Sequence, residues 1–507
     1  MGGLKIRADR GTAAIIALAA LLAAGFPAAS AAAPASAERN LERVRQMEAA
    51  DERKDCKTIL ELGVPLVEAK AESGLTGEAE AYAYELVVSC EYRAKAHAAA
   101  YAHALKGTKL EHSTDYLWQM RLVLELLAER RDAAVATIEA MTQGRGAALN
   151  SAPIQLYSRL ERELREKGLT ALRRRLLKVL ASDVYAPEAY YGPTDYYAYL
   201  YAGLLADEGE TAAARAMLAR LETPTSLSSA MLDPRLRGLL AGEPDIRAAA
   251  ERALAGHREA MARHPDRLEP LTLAAADLRQ LGRPAEAVQL LETATARIAD
   301  SIGFADLDEQ LNWWWDALGR SHAALGHYEP MVDSFRKGAA AGEGGEPNVS
   351  QVINLASTQV SFGRGDEALK TLAVFEDPKR ALSPYGAMEM RYARGCAHAV
   401  AGRPETAAAD LAFARAHEKD HPEALADLLL CLGDMDGAAA AFIRRLDDPE
   451  RRIAALLQLS DYDPPPVPLP TDPVASRLPA LKQRPDVRAA IERAGGIRRF
   501  RVQAGEL

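Results

Sequence analysis

His417-Glu418-Lys419-Asp420-His421 carries two histidines and a glutamate at the spacing with which one helix can hold zinc. On a continuous helix both imidazoles would share a face, and Glu418 would act as base toward a metal-bound water. Pro422 follows at once and disfavours helical geometry at His421. Lys419 and Asp420 add charges within the segment, and no histidine follows as a third ligand. The favoured reading is therefore a solvated helix end, and the alternative is a helical envelope hydrolase, zinc peptidase-like at His417, Glu418 and His421 or acting on cell wall.

Other chemistry-bearing spacings are weaker. Arg364-Gly365-Asp366 spells an adhesion tripeptide inside what reads as an inter-helix turn, and Asn348-Val349-Ser350 is a glycosylation sequon. The chain has no glycine-rich phosphate loop, serine elbow or Cys-x-x-Cys pair. The expectation is a non-enzymatic protein with no catalytic residue, no cofactor and no metal. A formal net charge of −9 argues against general nucleic-acid binding, which needs a basic footprint.

The elements that position these residues start after a leader. Lys5, Arg7 and Arg10 precede the apolar run Ala13 to Ala24, and small residues follow. Residues 1–37 read as a secretory signal cleaved after Ala37, with Ala31 as a second possible point. No later segment is both long and apolar enough to span a bilayer. The expected location is periplasmic or secreted, and the alanine- and arginine-rich composition suggests a bacterial source.

From Glu38 to about Leu459, apolar residues recur at three and four spacings and strand-like alternation is scarce, so the fold class is all-α. One turn repeats: Gly282-Arg283-Pro284, Gly326-His327-Tyr328, Gly363-Arg364-Gly365, Gly402-Arg403-Pro404 and Gly433-Asp434-Met435. Each glycine suits the left-handed end of one helix, and the acid or proline near it suits the start of the next. Successive turn glycines lie 44, 37, 39 and 31 residues apart.

The unit Trp315, Leu318, Gly319, His322, Gly326, Tyr328 and Phe335, with Met331 in place of an alanine, resembles the tetratricopeptide repeat. The resemblance implies a right-handed α-solenoid of helical hairpins that binds a protein or peptide partner in a concave groove. It is clearest over residues 195–460, while 38–194 reads as degenerate hairpins of the same kind. Carried onto the best units, the family's groove positions include Trp313, Asp316 and Arg320, then Glu269, Thr272, Arg279 and Gln280, with Trp315 as the packing residue. Seven tyrosines between Tyr185 and Tyr201 place Tyr196 and Tyr199 at groove positions of an earlier copy. Tyr196, Tyr199 and Trp313 are thus the candidate anchors, and Arg279 and Arg320 the candidate polar selectors. Lysines that grip a terminal carboxylate in some members are missing from the corresponding positions.

Cys56 and Cys90 lie 34 residues apart, and Cys396 and Cys431 lie 35 apart, close to one hairpin period. That spacing favours a disulfide within each pair among three arithmetically possible pairings, with buried thiols as the alternative. Residues 461–507 read as a proline-rich linker with a short basic helix near Asp486. This tail either caps the acidic solenoid or docks an acidic partner, and a structural spacer whose groove the tail fills is a further alternative. Oligomeric state is not legible.

Overall fold

In the computed structural model, the structure describes residues 35–69, 74–187, 194–299, 303–341, 347–377 and 379–504. These contain twenty-seven α-helices and two short strands. The chain forms two compact units, residues 1–190 and 191–507. The expected leader lies outside the described residues except for its last three, which open the first helix. No described helix is long and apolar enough to cross a membrane.

The first unit contains α1 (Ala35–Glu52), α2 (Cys56–Glu68), α3 (Gly77–Arg93), α4 (His97–Gly107), α5 (Asp115–Leu127), α6 (Arg131–Met141), α7 (Gly146–Ser151), α8 (Ile154–Glu166) and α9 (Thr170–Leu180). Neighbouring helices pack as antiparallel hairpins around Met47, Ile59, Val87, Leu117 and Met120. Cys56 and Cys90 join the start of α2 to the end of α3 with Cα atoms 5.2 Å apart. Tyr84 donates from its hydroxyl to the Val67 carbonyl at 2.8 Å, satisfying a buried polar tip.

The second unit begins with α10 (Asp195–Asp207), α11 (Thr211–Leu218), α12 (Pro224–Leu232), α13 (Ile246–Arg263), α14 (Glu269–Gln280), α15 (Pro284–Glu292) and α16 (Thr295–Ala299). It continues through α17 (Leu307–Ala324), α18 (Tyr328–Ala340), α19 (Val349–Ser361), α20 (Gly365–Leu372), α21 (Pro384–Val400), α22 (Ala408–Ala416), α23 (Pro422–Leu432), α24 (Met435–Asp447) and α25 (Arg452–Leu459). The first helices of successive hairpins, α14, α17, α19, α21 and α23, each contact the next, which makes an α-solenoid of tetratricopeptide-like hairpins. Its packing follows the small-against-large rule: a Cβ on Gly319 would stand 2.9 Å from the Phe335 ring, so only glycine lets α17 and α18 close to this distance.

The repeated turn is one structure. Gly282, Gly326, Gly363, Gly402 and Gly433 all have φ between 72° and 77°. The following amide donates to the carbonyl five residues back, as in Arg283 to Leu278 at 2.8 Å and Asp434 to Leu429 at 3.0 Å. The first unit makes the same bond after Lys54, Lys95 and Glu129, where a non-glycine residue holds the left-handed conformation.

Cys396 and Cys431 join α21 to α23, again with Cα atoms 5.2 Å apart. Beyond α25 the chain is not a free linker. It forms β1 (Asp461–Asp463), α26 (Pro473–Gln483), α27 (Pro485–Ala494) and β2 (Arg499–Gln503), and β1 pairs in parallel with β2. The α27 helix packs on α24 and α25, β2 packs on α13 and α14, and α25 packs on α12. The end of this unit therefore meets its own beginning, and Arg237 donates to the Gly495 carbonyl across that join.

Candidate functional site

Of the candidate anchors, Tyr196 is 54% exposed and Trp313 is 46% exposed. Tyr199 is buried, packed 6.3 Å from the Tyr196 ring, and donates to Asp233 at 3.4 Å. Burial, then the Asp233 charge, pushes its phenol well above the ordinary range. Tyr199 is thus a core residue of its hairpin, not an anchor. Tyr190, Tyr191 and the expected break at Gly192-Pro193 lie outside the described residues.

The three tryptophans fan out because the helix turns about 100° per residue. Trp313 faces out, Trp314 is fully buried, and Trp315 is half-buried beneath the Lys337 ammonium at 4.8 Å. Trp315 does pack within the hairpin, where a Cβ on Gly338 of α18 would stand 3.0 Å from the Trp315 Cβ, and Trp314 lies deeper, its ring 4.5 Å from that of Trp315.

The two arginines part company. Arg279 is buried and donates to the Ala317 carbonyl and to Ser321 Oγ, each at 3.3 Å, so it ties α14 to α17 and is not presented as a selector. Arg320 is exposed and donates to Asp316 at 2.6 Å. Asp316 also accepts from Asn354 at 2.6 Å, which extends this polar row from α17 to α19.

His417 and His421 do not share a helix. His417 follows the end of α22, stacks on Phe413 at 4.1 Å and faces Asp420, whereas His421 stands just before the start of α23, ahead of Pro422. Glu418 turns instead to Arg444 at 2.7 Å. Among the described residues, no group of three His, Cys, Asp or Glu side chains is arranged to hold a metal ion.

What His421 builds is a different site on the first-helix face. Ser383 caps α21 through the Gly386 amide and Pro384 opens the helix, so Tyr385, Glu389 and Tyr392 follow one another along one side of it. His421 Nε2 meets Glu389 Oε1 at 2.5 Å, and its Nδ1 meets Glu423 Oε2 at 3.1 Å. Arg445, buried on α24, contacts Glu423 at 3.2 Å and donates to Gln458 at 2.7 Å. Gln458 on α25 in turn donates to Asp427 at 2.7 Å. Tyr385, 56% exposed, lies over this network with its ring 4.4 Å from that of His421.

Burial works against a charged His421, but the Glu389 and Glu423 carboxylates outweigh it and hold the imidazole at about 9. Burial pushes Glu423 up, yet His421 and Arg445 bring it down to about 2. Burial prevails at Asp427, which stands at about 6 despite Arg445 and Gln458. Both ring nitrogens of His421 are engaged, and the arrangement links α21, α23, α24 and α25 under an exposed aromatic ring. The missed residues had a signal: counting back from Gly402 and Gly433 in the register used for Trp313, Asp316 and Arg320 reaches Glu389, Tyr392, Glu423 and Asp427.

A separate open cleft of about 770 Å3 lies between α18, α19 and α20, lined by Arg336, Val352, Gln359, Glu367 and Lys370. Its wall hydroxyl, Thr371, donates to Gln359.

No protein-family model and no curated protein matches the chain. Solved structures that share likeness include Naa15/Naa10 bound to HypK-THB, at 16% identity and a TM-score of 0.25, covering 83% of this chain and 66% of that one. Yeast Tom70 is similar at 13% identity and a TM-score of 0.24, covering 90% of this chain and 99% of that one. This chain thus spans just under two thirds of the first of these.

Proposed function

We propose that the chain is a non-enzymatic, exported scaffold that binds a protein or peptide partner on the first-helix face of its second unit, in a bacterial envelope complex. The supporting observation is the exposure of Trp313 and Tyr385 on α17 and α21, beside the ionic rows Asp316–Arg320 and Glu389–His421. A helical hairpin ordinarily buries rings of this size, and a partner that desolvates them gains the aromatic anchors typical of binding hot spots. Two disulfides suit an oxidising compartment, which agrees with the leader read from the sequence.

The test is affinity capture from envelope extract of the source organism with residues 38–507 as bait, alongside Trp313→Ala and Tyr385→Ala baits. The expected outcome is a partner held by the parent and lost at least ten-fold in one or both variants, whose melting curves match the parent's. Equal capture by all three baits would remove this face as the contact.

A further inference from the structure

Residues 464–477 cross the turn ends of three first helices in the second unit, and the chain there behaves as a ligand. Val467 sits at the Gly326 turn, where a Cβ on the glycine would come within 3.2 Å of its Cγ1. Thr471 sits at the next turn, Gly363, and donates from its amide to the Ser361 carbonyl at 3.0 Å and from Oγ1 to the Val360 carbonyl at 2.9 Å. Arg477 reaches the end of α23 and donates to the Leu430 and Cys431 carbonyls at 2.7 and 3.0 Å.

Each of those carbonyls belongs to the last turn of a first helix, where backbone acceptors lack intrahelical donors and the helix dipole favours positive charge. The edge therefore offers a row of acceptors separated by glycines that admit a chain closely. The segment that fills it is Pro464-Pro465-Pro466-Val467-Pro468-Leu469-Pro470-Thr471. Four residues of such extended chain advance about 12 Å, enough for one step of 8–10 Å between packed helices. Proline also removes five of the eight amide donors between residues 464 and 471, and the donors that reach helix-end carbonyls are those of Thr471 and, further on, Arg477.

We propose that this edge is a second binding surface whose ligand is an extended, proline-rich segment of a partner that runs into a helix, with a branched apolar residue, a hydroxyl four residues on and, six residues beyond that, a guanidinium in the helix's first turns, as Arg477 stands in α26. The chain's own residues 464–477 occupy it until such a segment replaces them. The inference rests on the scaffold reading but concerns a different surface from Trp313 and Tyr385, along the helix ends instead of the helix faces.

The test uses the full chain and a labelled synthetic peptide of residues 464–478. Thr471→Ala/Arg477→Ala removes side-chain donors from partly exposed positions and frees the edge. This variant is expected to bind the peptide at least ten-fold more tightly than the parent by fluorescence anisotropy, and a peptide with alanine at the same two positions is expected to lose that gain. In the unaltered chain, excess peptide is expected to speed hydrogen exchange of residues 464–478 while the hairpins stay protected. Absence of peptide binding to the variant, or unchanged exchange in the parent at saturating peptide, would overturn the proposal. Envelope capture that depends on Trp313 alongside a failed peptide test would leave the scaffold reading standing; peptide binding without capture would do the reverse.

Discussion

Gly365 lies so close to Ala397 that a Cβ on the glycine would stand 2.5 Å from the Ala397 carbonyl oxygen and 2.7 Å from the Ala401 amide nitrogen. Both are backbone atoms near the C-terminal end of α21, so the neighbour cannot swing aside. The glycine of Arg364-Gly365-Asp366 is therefore a packing residue between α20 and α21, while Asp366 pairs with Arg403 of the following turn. Gly365→Ala is expected to destabilise the second unit by about 1–3 kcal/mol, the usual cost of forcing atoms into a packed contact. Chemical denaturation checks this, and an unchanged midpoint would mean that the two helices separate more easily than their spacing implies.

His421 makes stability depend on pH with a definite sign. Its pKa rises from an ordinary 6.5 to about 9 on folding, so the stabilisation is complete below 6.5 and is lost as pH climbs through 9. The facing groups are Glu389 on α21 and Glu423 on its own helix, with Arg445 of α24 on the far side of Glu423. Between pH 6.5 and 9.5 the parent is expected to lose about 3 kcal/mol more than a His421→Gln variant, which cannot titrate. Denaturant midpoints of both proteins across that range measure the difference, and parallel curves would show that the carboxylates do not hold the proton. Below pH 4.5 the sign reverses, since Glu423 contributes stability that disappears as pH falls toward its folded value of about 2.

Lys54, Lys95 and Glu129 occupy the left-handed position that glycine takes in the second unit, with φ of 58°, 60° and 55°. A side chain there costs about 1–2 kcal/mol, part of which glycine returns through the freedom it gives the unfolded chain. Each change to glycine is expected to stabilise the first unit by about 0.5 kcal/mol, and the sites are far enough apart along the chain for the effects to add. A triple variant melting below the parent would locate the benefit of these residues in their side chains.

The same three residues explain where the hairpins were legible. Between Gly282 and Gly433 each turn is spelled by its glycine, so helix type, turn position and repeat follow from residues 282–438 alone. In the first unit Gly168 spells one such turn, but at residues 54, 95 and 129 the identical turn is written with lysine or glutamate, residues that carry no turn signal of their own, and there the repeat fades although the geometry persists. The tail shows the opposite limit. Its prolines correctly end the solenoid, but the acceptors that receive Thr471 and Arg477 belong to residues some 110 and 47 positions away, and no local pattern encodes such a return. The candidate site divides in the same manner. Trp313 and Arg320 follow from helical register, whereas the Glu389–His421 contact joins two hairpins and depends on how they pack.

Arg279 and Arg320 both stand at groove positions of the repeat register, three and six residues before their turn glycines, and are expected to respond in opposite ways to removal. Arg279 is enclosed between α14 and α17 with its donors on Ala317 and Ser321, so Arg279→Ala leaves a cavity and orphans two acceptors. A loss of about 2–4 kcal/mol is expected, the range for breaking a buried network. Arg320 is exposed and its partner Asp316 keeps the Asn354 amide, so Arg320→Ala is expected to cost less than about 1 kcal/mol. Thermal melts of the two variants separate a residue enclosed within the array from one exposed on its surface. If Arg320→Ala instead unfolds the second unit, the Asp316 row belongs to the core, and Trp313 and Tyr385 are left as the contacts that a partner must find.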